Sequence, residues 1–203
     1  SFHMFMNGIL SGDGKSIEAN ANGLKKLSEK DIELAFQVSD KNPLVGVSGR
    51  ALLMNRLAKA LTNRLFFRHN RPGNLFDYLV EKYGTHIPAT GILRSILESL
   101  APIWPNRIMA NGKNLGDVWS YSKLGAVGSF ESLVPFHKLS QWMAYSLIEP
   151  LQEAGIHITG IQELTGLAEY RNGGLILDSG LVSLVNPQDQ EKIWHPDSDL
   201  VIE

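Results

Sequence analysis

Cysteine is missing from this sequence of 203 residues, which excludes disulfide bonds and thiolate metal sites. The absence fits a reducing compartment, and we expect a cytoplasmic protein. No apolar run is long enough to span a bilayer, and the opening segment SFHMFMNGIL lacks the basic region and the cleavage site of a signal peptide. The net charge of −2 gives the whole chain no electrostatic attraction to nucleic acid or to a membrane surface.

Signatures of metal and phosphate binding are also scarce. The six histidines include no pair spaced three or four residues apart, so a helical metal site is not expected. The segment GDGKS at 12–16 resembles the end of a phosphate-binding P-loop, but Ile9 stands where that loop needs glycine, and no strand precedes it. We interpret it as part of a flexible surface loop over 11–23. The sequence therefore predicts neither a bound metal nor a cofactor.

Apolar residues that recur every third or fourth position predict α-helices along most of the chain. Ser28 and Asp31 have the spacing of a capping box that begins one of them. The predicted helices cover 28–38, 48–67, 74–83, 90–100, 135–149 and, with glycine interruptions, 163–184. Asn111-Gly112 suits a tight hairpin turn. Strands are therefore expected only as short ribbons, one near 107–115 and at most one more at 156–161. We predict a mainly α fold, a single multi-helix globular domain.

Both ends of the sequence are apolar. Phe2, Met4 and Phe5 are typical of the end of a helix whose beginning lies further upstream, and the final letters DLVIE stop within an apolar stretch. We therefore expect residues 1–203 to be the central section of a larger helical protein. The remainder of that polypeptide would then be one of its partners.

A basic segment lies at 41–76, where every charged residue is a cation. Its members are Lys41, Arg50, Arg56, Lys59, Arg64, Arg68 and Arg71. Local positive charge can hold a phosphate or a nucleic-acid backbone. The same residues lie on a predicted helix whose leucines form its buried face, so we favour a solvated basic face.

The predicted helix 135–149 carries two stripes. One is apolar and comprises Phe136, Leu139, Met143, Leu147 and Leu151. The other comprises Lys138, Trp142, Tyr145 and Glu149, which follow each other at helical spacing. Rings and charged groups in one row can line a ligand pocket, which predicts a helix buried on two sides with Lys138 facing a cavity. The alternative is a helix wedged between two layers, with Lys138 and Glu149 at its solvated ends.

Charged and polar residues cluster after position 162. They are Glu163, Glu169, Tyr170, Arg171 and Asp178. Glu169 beside Arg171 could be only a local ion pair, and exposed pairs contribute little to stability. If they are buried, the same residues could bind a sugar and stabilise positive charge on it.

Long phrases of the sequence resemble the uracil-catabolism (uracil-regulated) proteins of fungi and bacteria. They occur in order and cover most of the chain: SFHMF, AFQVSDKNPLVGVSGRALLMNRL, RPGNLFDYL, ILRSILESLAPIWP, LGDVWSYS, LVPFHKLSQWMAYSLIEPLQEAGI, ELTGLAEYRNGGLILDSG and LVIE. The resemblance implies further sequence on both sides. It also implies a role in a pathway that opens the pyrimidine ring of a ribosylated uracil and passes through a urea–ribose species.

A second resemblance, over short segments, is to the queuosine salvage glycosidases. In those, a Lys-Arg-Ala-Gln helix precedes a Leu-Thr-(two residues)-Ala-Asp-Tyr-Arg segment. The positions that match are Lys138 and Gln141 in the first motif, and Leu164, Thr165, Ala168, Tyr170 and Arg171 in the second. Glu169 stands where that family has Asp, Leu139 replaces the Arg, and Asn172-Gly173 replaces a Val-Pro. The match implies support for the sugar side of a site more than for its base pocket.

The resemblances and the chemistry of the residues together suggest an N-glycosidase that acts on a urea-bearing ribose or ribose phosphate. Cleavage of a ribosyl C–N bond builds positive charge on the sugar, which a carboxylate such as Glu169 stabilises. We expect Glu169 and Lys138 to be catalytic and to come together in one site. The expected substrate-binding residues are Tyr170, Arg171, Gln141, Trp142, Trp119 and Asp117. The alternative is a non-catalytic helical scaffold that binds other pathway enzymes.

Overall fold

The computed structural model describes residues 2–203, apart from the side chain of Tyr170. Its α-helices are α1 (Phe2–Met6), α2 (Ala21–Lys26), α3 (Glu29–Ala35), α4 (Val47–Ala60), α5 (Asn74–Tyr83), α6 (Ala89–Leu100), α7 (Lys138–Glu153), α8 (Tyr170–Asp178) and α9 (Asp199–Ile202). Its strands are β1 (His86–Pro88), β2 (Met109–Ala110), β3 (Lys113–Asn114), β4 (Val118–Ser120), β5 (Leu133–Pro135) and β6 (His157–Thr159). The predicted mainly α, single-domain fold is confirmed.

Local hydrogen bonds explain where the first helices begin. Ser28 and Asp31 form the predicted capping box, in which each side chain binds the backbone N–H of the other residue. The predicted loop 11–23 is shorter than expected, because the Asn20 side chain accepts a hydrogen bond from Gly23 N and so begins α2 at Ala21. Helix α3 ends at Ala35, three residues before the predicted end.

The predicted long helix 48–67 is wrong at its end, since α4 stops at Ala60. The chain then turns at Asn63, whose carbonyl accepts hydrogen bonds from the N–H groups of both Phe66 and Phe67. This turn brings the two phenylalanines into the core, which a continuous helix would not do. The predicted leucine stripe holds as far as the fully buried Leu61 but fails at Leu65, which is exposed.

The core lies between α4, α5, α6 and the strand pair β1–β6. Leu79, Ile87, Ile92 and Ile96 are almost completely buried there. Strands β1 and β6 run parallel, with His86 opposite His157. Asn74 is the first residue of α5, and its side chain accepts hydrogen bonds from the backbone of the preceding turn, at His69 and Arg71.

Short ribbons account for the other strands. The predicted hairpin at Asn111-Gly112 is confirmed as β2–β3, and both turn residues have the positive φ values, 49° and 72°, of a type I′ turn. The antiparallel pair β4–β5 was missed, because Pro135 suited the first turn of a helix as well as the end of a strand. The cations of the basic segment 41–76 are exposed, except for the half-buried Arg56, as the solvated-face interpretation expects.

Candidate functional site

Helix α7 is displaced from its predicted bounds of 135–149. It begins at Lys138, after Pro135 has closed β5 and His137 has adopted a left-handed conformation with φ 49° and ψ 30°. It then continues through Pro150 to Glu153, four residues beyond the predicted end at 149. Strand β5 of the β4–β5 ribbon therefore leads into α7, whose first residue is Lys138.

The faces of α7 also differ from the prediction. Its buried residues are Ser140, Gln141, Ala144 and, near its end, Leu151, and the helix as a whole packs against α6. In the first half of the helix the inward face therefore carries small side chains, which let two helices approach closely, whereas Leu151 of the apolar stripe is buried only near the end. Leu139 and Met143 of the predicted apolar stripe are 40 % and 36 % exposed. The prediction that α7 is buried on two sides is therefore wrong.

Gln141 and Tyr145 fasten the second predicted motif to α7. The Gln141 carboxamide oxygen accepts a hydrogen bond from Thr165 N at 3.2 Å, and its NH₂ group donates to Thr165 Oγ1. The Tyr145 hydroxyl donates to the Thr165 carbonyl at 3.1 Å. Leu164 is buried beside these contacts. The predicted helix 163–184 is therefore wrong at both ends, since α8 covers only Tyr170–Asp178, and the irregular segment 164–169 leads directly to Glu169.

Glu169 and Lys138 lie in contact, although 31 residues separate them in sequence. The Lys138 ammonium donates to Glu169 Oε2, and the Arg171 guanidinium donates to the same oxygen at 3.2 Å. Oε1 of Glu169 accepts from Arg171 N at 3.4 Å, so Glu169 also caps α8. The side chains of Lys138 and Glu169 are 20 % and 19 % exposed, whereas Arg171 is 82 % exposed.

These contacts stabilise the ionised form of Glu169. Hydrogen bonds from Arg171 and then from Lys138 lower the pKa of its carboxyl group from 4.5 to about 2. Glu169 is therefore ionised at neutral pH. A carboxylate of this kind can stabilise positive charge or orient water, but it cannot serve as a proton donor.

Asp117 binds the backbone at the start of α7, and Trp119 binds Asp117. Asp117 Oδ1 accepts a hydrogen bond from Trp119 Nε1 at 3.0 Å, and Oδ2 accepts from Lys138 N at 3.3 Å. The guanidinium of Arg107 stacks on the Trp119 ring at 4.5 Å from its centre. Arg107 and His137 were not predicted as site residues, since no motif or helical spacing links either of them to Lys138.

Trp142, another predicted residue, does not lie in this site. Trp142 is 58 % exposed on the outer face of α7. Tyr170 opens α8, but its side chain lies outside the described part of the chain. Two cavities in the described part of the chain lie elsewhere. An apolar one of about 170 Å³ is lined by Leu27, Ile32 and Leu53, among others, and a cleft of about 520 Å³ lies between α4 and α6.

Within 2–203, as described, histidine, aspartate and glutamate nowhere form a group of three or more that could hold a metal ion. No helix in this part of the chain is both long and apolar enough to cross a membrane. The charged groups in contact at the site are the Lys138 ammonium, the Arg171 guanidinium and the Glu169 carboxylate.

The fold and the site define a helical protein in which a lysine–glutamate ion pair joins the start of one helix to the cap of another. The chain belongs to the family described as "Protein of unknown function (DUF1688)", whose model matches residues 1–203. It is 38 % identical over 201 residues to "Uracil catabolism protein 4" of Lachancea kluyveri, which covers 92 % of the chain and 46 % of that protein. It is 33 % identical over 210 residues to "Protein urg3" of Schizosaccharomyces pombe, covering 100 % of the chain and 49 % of that protein.

These relatives confirm the family resemblance predicted from the sequence phrases. The chain spans about half the length of the curated relatives that it matches. No solved structure matches it.

Proposed function

We propose that the protein acts in uracil catabolism in the cytoplasm, as an N-glycosidase that hydrolyses a urea-bearing ribose or ribose phosphate. The relative named for uracil catabolism supports the pathway. The observation that carries the reaction is the contact between Lys138 and an ionised Glu169, reached from two motifs that resemble a glycosidase pattern. We further propose that residues 1–203 are the central section of a larger protein, in line with the length of the relatives.

Glu169 supplies the negative charge that this reaction needs. Hydrolysis breaks the bond between the anomeric carbon and the urea nitrogen, joins a water oxygen to that carbon, and leaves a proton on the nitrogen. Positive charge develops on the sugar as the bond lengthens, and a carboxylate held in place stabilises it. The low pKa of Glu169 keeps the carboxylate ionised for this purpose.

The two cations beside Glu169 suit the polar groups of the substrate. Lys138 can donate hydrogen bonds to a ribose hydroxyl, while the exposed Arg171 can pair with a 5′-phosphate. The start of α7, a usual place for an anion, is already filled by the Asp117 carboxylate. A substrate phosphate is therefore assigned to the Arg171 side of the site.

The experiment is incubation of the full-length protein with ribosylurea and, separately, with its 5′-phosphate, while released urea is measured. We expect urea release with at least one of the two, and its loss in Glu169→Gln. Glu153→Gln is the matched control, because Glu153 is exposed in the last turn of α7, far along the helix from Lys138. Absence of urea from both substrates, with the protein folded, would refute the proposal.

The outer face of α7 favours a second candidate function, a non-catalytic scaffold for other enzymes of uracil degradation. Leu139, Trp142 and Met143 form adjacent exposed positions there. Contiguous exposed apolar side chains mark interaction surfaces. A scaffold would release no urea, and Trp142→Ala would weaken its binding to a pathway enzyme, whereas Glu169→Gln would leave that binding unchanged.

A further inference from the structure

Asp117 binds the start of α7 with both its backbone and its side chain. Its carbonyl oxygen accepts hydrogen bonds from Phe136 N at 3.0 Å and His137 N at 3.1 Å. Its carboxylate oxygen Oδ2 accepts from Lys138 N at 3.3 Å. Three successive N–H groups are thus satisfied by one residue. The first N–H groups of a helix have no partner within the helix, and a negative charge there complements the helix dipole.

His137 cannot perform this task itself. It occupies the position before the helix, but its side chain makes no cap hydrogen bond. Its backbone is left-handed, which costs a residue other than glycine about 1 kcal/mol or more. Such a conformation persists only when neighbouring contacts enforce it. The hydrogen bonds to Asp117 are contacts of that kind, and they set the direction in which the chain enters α7 at Lys138.

The Asp117 carboxylate is held in turn by a second set of contacts. Trp119 Nε1 donates to Oδ1, and an Arg107 guanidinium nitrogen lies 3.9 Å from the same oxygen. Stacking of Arg107 on the Trp119 ring fixes both partners. The side chains of Asp117 and Arg107 are mostly buried. The carbonyl oxygen and both carboxylate oxygens of Asp117 are thus bound to protein groups, so Asp117 is poorly placed to bind a substrate.

We propose that Asp117 is a positioning residue, which orients Lys138 toward Glu169 by holding the first turn of α7, and that it does not bind substrate. This replaces the expectation drawn from the sequence. The inference rests on the proposed function in one respect, because it takes Lys138 and Glu169 as the reacting pair. The dependence of the Lys138–Glu169 contact on Asp117 does not require that any reaction takes place.

The test is the pKa of Glu169, measured by carboxyl NMR titration of the full-length protein with and without Asp117→Asn. The charged groups that contact Glu169 are Lys138 and Arg171. If Lys138 loses its orientation, the carboxylate loses one of the two hydrogen bonds that lower its pKa, so the pKa should rise by about one pH unit. Direct electrostatics act in the opposite sense, because removal of one negative charge lowers the pKa of another carboxyl. The sign of the change therefore separates positioning from a simple charge effect.

Asp31→Asn is the matched control, since Asp31 also holds the start of a helix but lies in the capping box of α3. It should leave the Glu169 pKa unchanged. Trp119→Phe is a milder second variant, which keeps the Asp117 charge and removes one hydrogen bond that orients it; a smaller rise is expected. A Glu169 pKa that stays constant or falls in the folded Asp117 and Trp119 variants would overturn the proposal. The titration needs no substrate, so its result stands whether or not urea is released.

Discussion

The side chain of Gln141, in α7, forms two hydrogen bonds with Thr165: its carboxamide oxygen accepts from the Thr165 N–H, and its NH₂ group donates to the Thr165 hydroxyl. This pair of hydrogen bonds, the clamp at Thr165, holds the segment that leads to Glu169. We expect Gln141→Leu to lower the free energy of unfolding by about 1 kcal/mol, the usual net value of such hydrogen bonds. Urea denaturation measures the change. Gln152→Leu, on an exposed turn of the same helix, should change stability by less than about 0.5 kcal/mol.

Glu169→Gln tests the role of the carboxylate. If the charge acts mainly on the transition state, kcat should fall by about 100-fold with little change in KM. Steady-state urea release measures both constants. A variant that releases urea at the full rate would remove Glu169 from the mechanism.

Lys138→Ala should affect binding as well as turnover. The ammonium donates to Glu169 and is placed to bind the sugar, so its loss should weaken substrate affinity at least as much as it lowers kcat. Equilibrium binding of a non-hydrolysed analogue separates the two effects. An unchanged dissociation constant would assign the sugar contacts to other residues.

The pH dependence follows from the low pKa of Glu169. Because its pKa is about 2 in the folded chain and 4.5 is its ordinary value, the carboxyl group stabilises the fold above pH 4.5. That contribution is lost as the pH falls from 4.5 toward about 2. The unfolding free energy should therefore drop less between about pH 5 and about pH 3 in Glu169→Gln than in the unmodified protein. Equal drops in the two proteins would contradict the assigned pKa.

The close contact of α7 with α6 predicts a penalty for volume at Ala144. This side chain is almost fully buried, so Ala144→Leu should destabilise the protein by about 1–3 kcal/mol through overpacking. Met143→Ala, one residue away on the exposed side, should change stability by less than about 0.5 kcal/mol. Thermal or urea unfolding compares them. A neutral Ala144→Leu would mean that α7 does not pack through this face.

Features that depend on neighbouring residues were predictable from the sequence. The capping box of Ser28 and Asp31 and the turn at Asn111-Gly112 are made by hydrogen bonds and dihedral angles within a few residues. Element ends were less predictable. Pro135 suited either a helix start or a strand end, and only the pairing of Val118 with Pro135 decides for the strand.

The inward face of α7 could not be predicted, because helical spacing defines stripes without saying what covers them. Leu139 and Met143 belong to the more apolar stripe, yet in this half of the helix they are exposed while Ser140 and Ala144 are buried. Helix α6 packs against α7, and small side chains suit such packing because they permit a short distance between two helices. Arg107 and His137 were missed for a similar reason, since their contacts come from the β4–β5 ribbon and its surroundings.

The sequence by itself determined the helical class, the family and the two motifs that contain Lys138 and Glu169. These properties follow from the spacing of apolar residues and from the order of the family's sequence phrases. Only the tertiary structure decided that the two side chains meet. Their contact depends on the clamp at Thr165 and on Asp117 at the start of α7, which join segments far apart in the chain. Periodicity along one helix holds no information about such contacts, because they form only when separate elements have packed around a common core.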